Sequence, residues 1–168
     1  MHKLKIVVGG ISALMLTIAG PALAINDAQH YSLFADASYI SPGNASNRAV
    51  QLVSDSAPGY GGISYGVESG VTFADLTQLS TDYRFEADDS CAGGGPRFQI
   101  RVDTGSGLKN IFAYIGPAPS YTGCPAGIWA NSGDLLEVGM FVDTSQLGGT
   151  FYDPYPIAVA NYGSYPVV

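Results

Sequence analysis

The pentapeptide Gly62-Ile63-Ser64-Tyr65-Gly66 fits the G-x-S-x-G pattern, in which a serine on a sharp strand-to-helix turn attacks an acyl carbon. Such a serine needs a base, in that arrangement a histidine downstream of it, and the one histidine beyond residue 24, His30, comes before it. No helical pattern follows the motif, and in a chain with 22 glycines the match carries little weight. Serine-hydrolase chemistry is therefore not expected. Cys91 and Cys124 are the only cysteines, neither has a histidine nearby in sequence, and one histidine with two cysteines falls short of the usual zinc sets.

Carboxylates are the remaining reactive groups. Asp88 and Asp89 stand in a glycine-rich loop beside Cys91, while Glu68, Asp103, Asp134, Asp143 and Asp153 fall at turns or strand ends. Two carboxylates facing each other could hydrolyse a glycoside, and a loop set with backbone carbonyls could hold calcium. The spacing matches neither pattern, so most of these aspartates are expected to bond their own turns. A structural calcium site at Asp88, Asp89 and Asp153 is the metal expectation; no other cofactor is expected. No catalytic residue is assigned.

Aromatic residues give the stronger argument. Trp129, Tyr114, Tyr121 and Tyr152 lie in turn-rich stretches, where an exposed ring face can take the C–H face of a sugar. Tyrosine also fills the edge of a β core while its hydroxyl reaches water, which is the competing role for each of them. These four are the expected ligand-binding residues.

Strands must position these rings. Residues 98–103 alternate cleanly, with Phe98, Ile100 and Val102 opposed to Gln99, Arg101 and Asp103. Residues 81–87 alternate likewise, and the two runs are expected to pair as a hairpin, bringing Arg84 and Glu86 against Arg101 or Gln99. Further strands are expected at 49–54, 62–67, 110–115 and 135–142. A short helical turn capped by Thr72 is expected at 73–79, and 157–161 reads as a short helix or an edge strand. The whole is an all-β antiparallel fold, a β-sandwich of jelly-roll type with one or two short helical turns.

The chain opens with Lys3 and Lys5, continues with an apolar stretch over 6–19 and closes on Ala22-Leu23-Ala24, the order of a secretory signal peptide. The apolar stretch is shorter than the ~20 residues that cross a bilayer as a helix. The expected organisation is a signal peptide at 1–24 and one domain at 25–168, secreted, with no membrane insertion after cleavage. The formal charge of −7 becomes −9 once Lys3 and Lys5 are removed. Such a surface repels phosphate backbones, so nucleic acid is not an expected partner. In an oxidising compartment Cys91 and Cys124 are expected to form a disulfide. By loop closure it stabilises the fold by about 3 to 4 kcal/mol.

The run Arg48-Ala49-Val50-Gln51-Leu52-Val53 through Gly61-Gly62-Ile63-Ser64, the run Ser90-Cys91-Ala92-Gly93-Gly94-Gly95-Pro96-Arg97-Phe98-Gln99-Ile100, and the stretch from Val142-Asp143-Thr144 to Phe151-Tyr152-Asp153 resemble secreted jelly-roll proteins. In layout they are similar to the galactose-binding-like sandwiches of carbohydrate-binding modules. The resemblance implies a fold and an extracellular glycan or protein partner, and it transfers no functional residue. A non-catalytic binding module is the leading expectation. A carboxylate-dependent glycan hydrolase or lyase and a structural envelope protein are the alternatives.

Overall fold

The computed structural model describes residues 2–9, 14–17, 31–44, 46–54, 57–92 and 94–168. Its strands are β1 His2–Gly9, β2 Leu14–Thr17, β3 Tyr31–Ala35, β4 Ala37–Ile40, β5 Ala49–Leu52, β6 Tyr60–Val67, β7 Asp82–Phe85, β8 Arg97–Asp103, β9 Leu108–Tyr114, β10 Ala130–Asn131, β11 Phe141–Val142 and β12 Asp153–Pro154. Among the described residues one α-helix, α1 Tyr155–Tyr162, follows β12. Among the described residues no helix is long and apolar enough to cross a membrane.

Two five-stranded sheets have the orders β3-β6-β1-β8-β9 and β10-β7-β2-β5-β4, and every strand pairing in them is antiparallel. Followed from its other end, the second order repeats the first: β4 continues β3, β5 precedes β6, β2 follows β1, β7 precedes β8, and β10 comes after β9. The described strands thus fall into five ribbons, each a pair of consecutive strands with one strand in either sheet. The first corner has a visible cause. Ala35 takes a left-handed φ of 50°, and the Asp36 N–H bonds the Tyr60 carbonyl at 3.1 Å while the Asp36 carbonyl accepts from Val53 at 2.9 Å. A Cβ on Gly61 would lie 2.6 Å from that same carbonyl oxygen, so the bend needs glycine there.

The inward faces of both sheets meet in one core. Phe98, Ile100 and Val102 of β8 are buried, alternating with half-exposed Gln99 and Arg101, as the period of two requires. Leu52, Ile63, Phe85 and Ile111 complete the centre, and Phe73 closes one end, edge-on to Tyr155 of α1 at 5.8 Å.

Several expectations are corrected. Residues 81–87 and 98–103 do not pair: β7 lies between β2 and β10, β8 lies between β1 and β9, and the loop 86–96 carries the chain from one sheet to the other. Residues 135–142 are not one strand. Leu135 and Leu136 are adjacent and both buried, which no alternating strand allows, and Asp134 Oδ1 accepts from the N–H groups of Leu79 (2.9 Å) and Leu136 (3.0 Å) in a turn. Only Phe141–Val142 is extended, against Asp153–Pro154. The expected turn at 73–79 is a single 3-10 turn, Phe73–Asp75. It is anchored by the Asp75 carboxylate, which accepts from the Thr72 N–H at 2.8 Å and hydroxyl at 2.7 Å. Residues 157–161 are helical, within α1. Residues 2–9 and 14–17, within the stretch expected to be a signal peptide, form β1 and β2, each central in its sheet, while 22–24 and His30 lie outside the described residues.

Candidate ligand-binding site: an aromatic layer over β9

Residues 111–115 read Ile-Phe-Ala-Tyr-Ile, apolar at every position, and a strand of that kind is buried on both faces. Ile111 and Ala113 face the main core, whereas Phe112 and Tyr114 form a second cluster with Tyr121, flanked by Met140 and Phe141. The segment that supplies this outer cover is held to β9 by a backbone bridge, Phe112 N–H to the Asp143 carbonyl at 3.0 Å and Asp143 N–H to the Phe112 carbonyl at 2.8 Å, and by Gln146 Oε1, which accepts from the Asn110 N–H at 3.0 Å and side-chain amide at 2.9 Å.

Three of the four expected ligand-binding residues meet here. Tyr114 and Tyr121 have ring centroids 5.5 Å apart, Tyr121 and Tyr152 stack at 6.0 Å and 5° from parallel, and Tyr114 and Tyr152 are 6.4 Å apart. Trp129, half-buried just before β10, makes no ring contact with them among the described residues. The layer includes groups that the sequence reading did not single out as site residues. Asp143 is buried and takes the Tyr114 hydroxyl at 2.5 Å on Oδ2 and the Ser145 N–H at 2.9 Å on Oδ1. The Arg97 guanidinium lies 4.4 Å over the Phe112 ring and donates to the Gly94 carbonyl at 2.9 Å. The unbroken apolar run of β9 was the signal for a second layer.

The hydroxyls of the two inner rings are committed. Tyr121 donates to the Phe141 carbonyl at 3.1 Å and accepts the Phe141 N–H at 3.2 Å. Burial, then the hydrogen bond and charge of Asp143, push the Tyr114 phenol above its ordinary range against the opposing pull of Arg97. Burial raises Tyr121 as well, opposed by its bond to Phe141. Both are neutral at neutral pH and act as donors, so neither serves as base or nucleophile.

What the layer offers a ligand is ring surface. Tyr121 is 1% exposed and Tyr114 5%, but Tyr152 is 45% exposed and its neighbour Phe151, another residue not singled out from sequence, 63%. These two form the tip of a turn closed by Asp153, which accepts from the Thr150 N–H (3.1 Å), the Thr150 hydroxyl (2.6 Å) and the Thr144 hydroxyl. A Cβ on Gly149 would strike both Thr144 and Asp153, so this turn also needs glycine.

The other assigned residues are placed as follows. Asp153 closes that turn, whereas Asp88 and Asp89 lie in the turn after β7, with Asp89 N–H bonded to the Glu86 carbonyl at 3.1 Å. Among the described residues no three His, Cys, Asp or Glu side chains gather in a way that could hold a metal ion, so these three aspartates do not form one calcium set. Ser64 is buried in the middle of β6, paired with Ser32 and Lys5, on a strand rather than a nucleophile turn. The disulfide between Cys91 and Cys124 is formed, with Cα atoms 5.3 Å apart. It passes Gly116, at φ +129°, where a Cβ would sit 2.8 Å from the Cys91 sulfur. No family model, no curated protein and no solved structure matches this chain.

Proposed function

We propose that this is an exported, non-catalytic binding module that holds a neutral glycan against the Phe151–Tyr152 tip. The observation that carries the reading is the Tyr121–Tyr152 stack: a fully buried ring fixes the plane of a half-exposed one, beside a second exposed ring. A fixed aromatic face presents large apolar area with little ordering cost on binding. The acidic surface supports the same choice, since it repels anionic partners and leaves neutral sugars unaffected. The disulfide supports export, because such bonds persist in oxidising compartments. The resemblance to galactose-binding-like sandwiches is in keeping with this class.

The test is retention of the processed chain on a glycan array and on insoluble polysaccharides, followed by assay for released reducing sugar. Retention without release is expected, with a loss of at least about tenfold, or ~1.4 kcal/mol, in Tyr152→Ala. Undiminished retention in Tyr152→Ala and Phe151→Ala together would remove the tip from the site, and sugar release would make the protein an enzyme.

A further inference from the structure

β1 is the only strand between β6 and β8. It pairs with β6 from His2–Val67 to Gly9–Tyr60 and with β8 through Lys5, Ile6 and Val7, and in the other sheet β2 stands in the same way between β5 and β7. Because each central strand is antiparallel to both neighbours, β6 and β8 run parallel to each other, as do β5 and β7. Adjacent strands lie about 4.8 Å apart, so removing β1 and β2 opens a slot one strand wide through both sheets. Its rims would be unpaired backbone next to Ile63 and Phe98, two residues of the main core. Exposed rims of that kind bind another strand.

The ribbon β3/β4 shares the register of β1/β2 on β5 and β6. On β6, Ser32 and Lys5 both pair with Ser64, Leu33 and Ile6 with Ile63, and Ala35 and Val8 with Gly61. On β5, Ala37 and Leu14 both pair with Leu52, Ser38 and Met15 with Gln51, and Tyr39 and Leu16 with Val50. β3/β4 therefore has the direction and register of β1/β2 on the opposite side of β5/β6, with Asp36 alone between the positions that pair with Gly61 and Leu52, where β1/β2 has five residues. It occupies the sheet edges, where its inward residues Tyr31 and Leu33 are only half-buried against the core.

We infer that removal of the leader lets the chain's own β3/β4 ribbon leave the edges and take the central slot, pivoting on residues 41–48. The leader strands act as a placeholder that holds the domain in one arrangement until cleavage. This rests on the export reading, in which 1–24 is cut away. In each sheet the move heals two rims and bares one edge, and a ribbon on the same chain reaches the slot at far higher effective concentration than a second copy would.

The test uses the full 168-residue sequence expressed in a secreting host, with Ser32→Cys and Gln99→Cys introduced together. With the leader in place these positions are three strand spacings apart, about 14 Å, beyond the ~7 Å limit for a disulfide. After the move Ser32 takes the place of Lys5 opposite Gln99. Expected is an intramolecular bridge joining the two positions in the processed monomer and none in an uncleaved Ile25→Pro variant. The pair Ser32→Cys with Ser64→Cys, adjacent in both arrangements, is the positive control that position 32 can form a bridge. A covalent dimer would mean that a second copy fills the slot and would overturn the inference. No 32–99 bridge in a processed chain that forms the 32–64 bridge would overturn it too. Intact mass reads cleavage separately: a retained leader counts against export alone, and the bridge assay is then repeated on chain cut at a protease site inserted after Ala24.

Discussion

Tyr121 and Tyr152 stack within 5° of parallel, one ring 1% exposed and the other 45%, so an interior residue sets the orientation of a surface one. Tyr121 does this from a left-handed backbone, φ 52°, that a bulky residue adopts only at a cost of about 1 to 3 kcal/mol. Two hydrogen bonds at its hydroxyl hold it there.

Tyr121→Phe removes both of those bonds and strands the Phe141 backbone groups. The expected loss of stability is about 1 to 3 kcal/mol, read from urea unfolding. Sugar retention should fall by less than in Tyr152→Ala, because the ring survives. A variant as stable as the parent would mean that water replaces the hydroxyl.

Reducing the Cys91–Cys124 bridge should lower the melting temperature by roughly 10 °C or more, from about 3 kcal/mol of loop-closure stabilisation. Gly116→Ala should act in the same direction, by about 2 kcal/mol, since its Cβ meets both sulfurs and its φ of +129° disfavours a side chain. Calorimetry with and without reductant checks both.

The Asp153 turn carries an acid dependence. Desolvation raises its pKa, yet the bonds from Thr144 and Thr150 outweigh that and leave it below the ordinary carboxylate value. Stability from a lowered carboxylate is present above its unfolded pKa, about 3.9, and is lost as pH falls through the folded value. Retention of sugar should therefore hold at pH 5 and be lost only as pH falls below the ordinary carboxylate range, and Asp153→Asn should weaken it wherever Asp153 is ionised. Retention that tracks neither acid nor Asp153→Asn would separate the turn from binding.

Alkali acts on the tyrosines with the opposite sign. Burial, first among the causes, raises Tyr65, Tyr83, Tyr114 and Tyr121 above the ordinary phenol value of about 10. Their neutral forms are favoured in the fold, so this stabilisation is complete below about pH 10 and is lost as pH rises through the folded values. Ultraviolet titration should show an early exposed class of phenols and a late class that ionises together with unfolding. A single class at the ordinary value would contradict the burial.

The alternation of β8 was plain in sequence because one face is core and the other wet, and the same holds for β7. Pairing was not plain: the pattern of 81–87 says that a face is buried, not against which strand, so a hairpin was expected where two sheets exist. Residues 31–40 escaped notice because at the sheet edges Tyr31 and Leu33 are only half-buried, and the alternation between core and solvent blurs. Three tyrosines of the site were legible as aromatics in turns. Phe112, Arg97 and Asp143 were not read as part of it, since only tertiary folding lays the 140–153 segment over β9, and Trp129 shares the composition but not the place.

The bent ribbons bear on how the molecule comes apart. Because every ribbon runs through both sheets, neither sheet can melt while the other stands, and losing one ribbon takes a strand from each at once. Heat should therefore produce a single calorimetric transition whose van't Hoff and measured enthalpies agree, and slow hydrogen exchange should be distributed alike over β5, β6, β7 and β8.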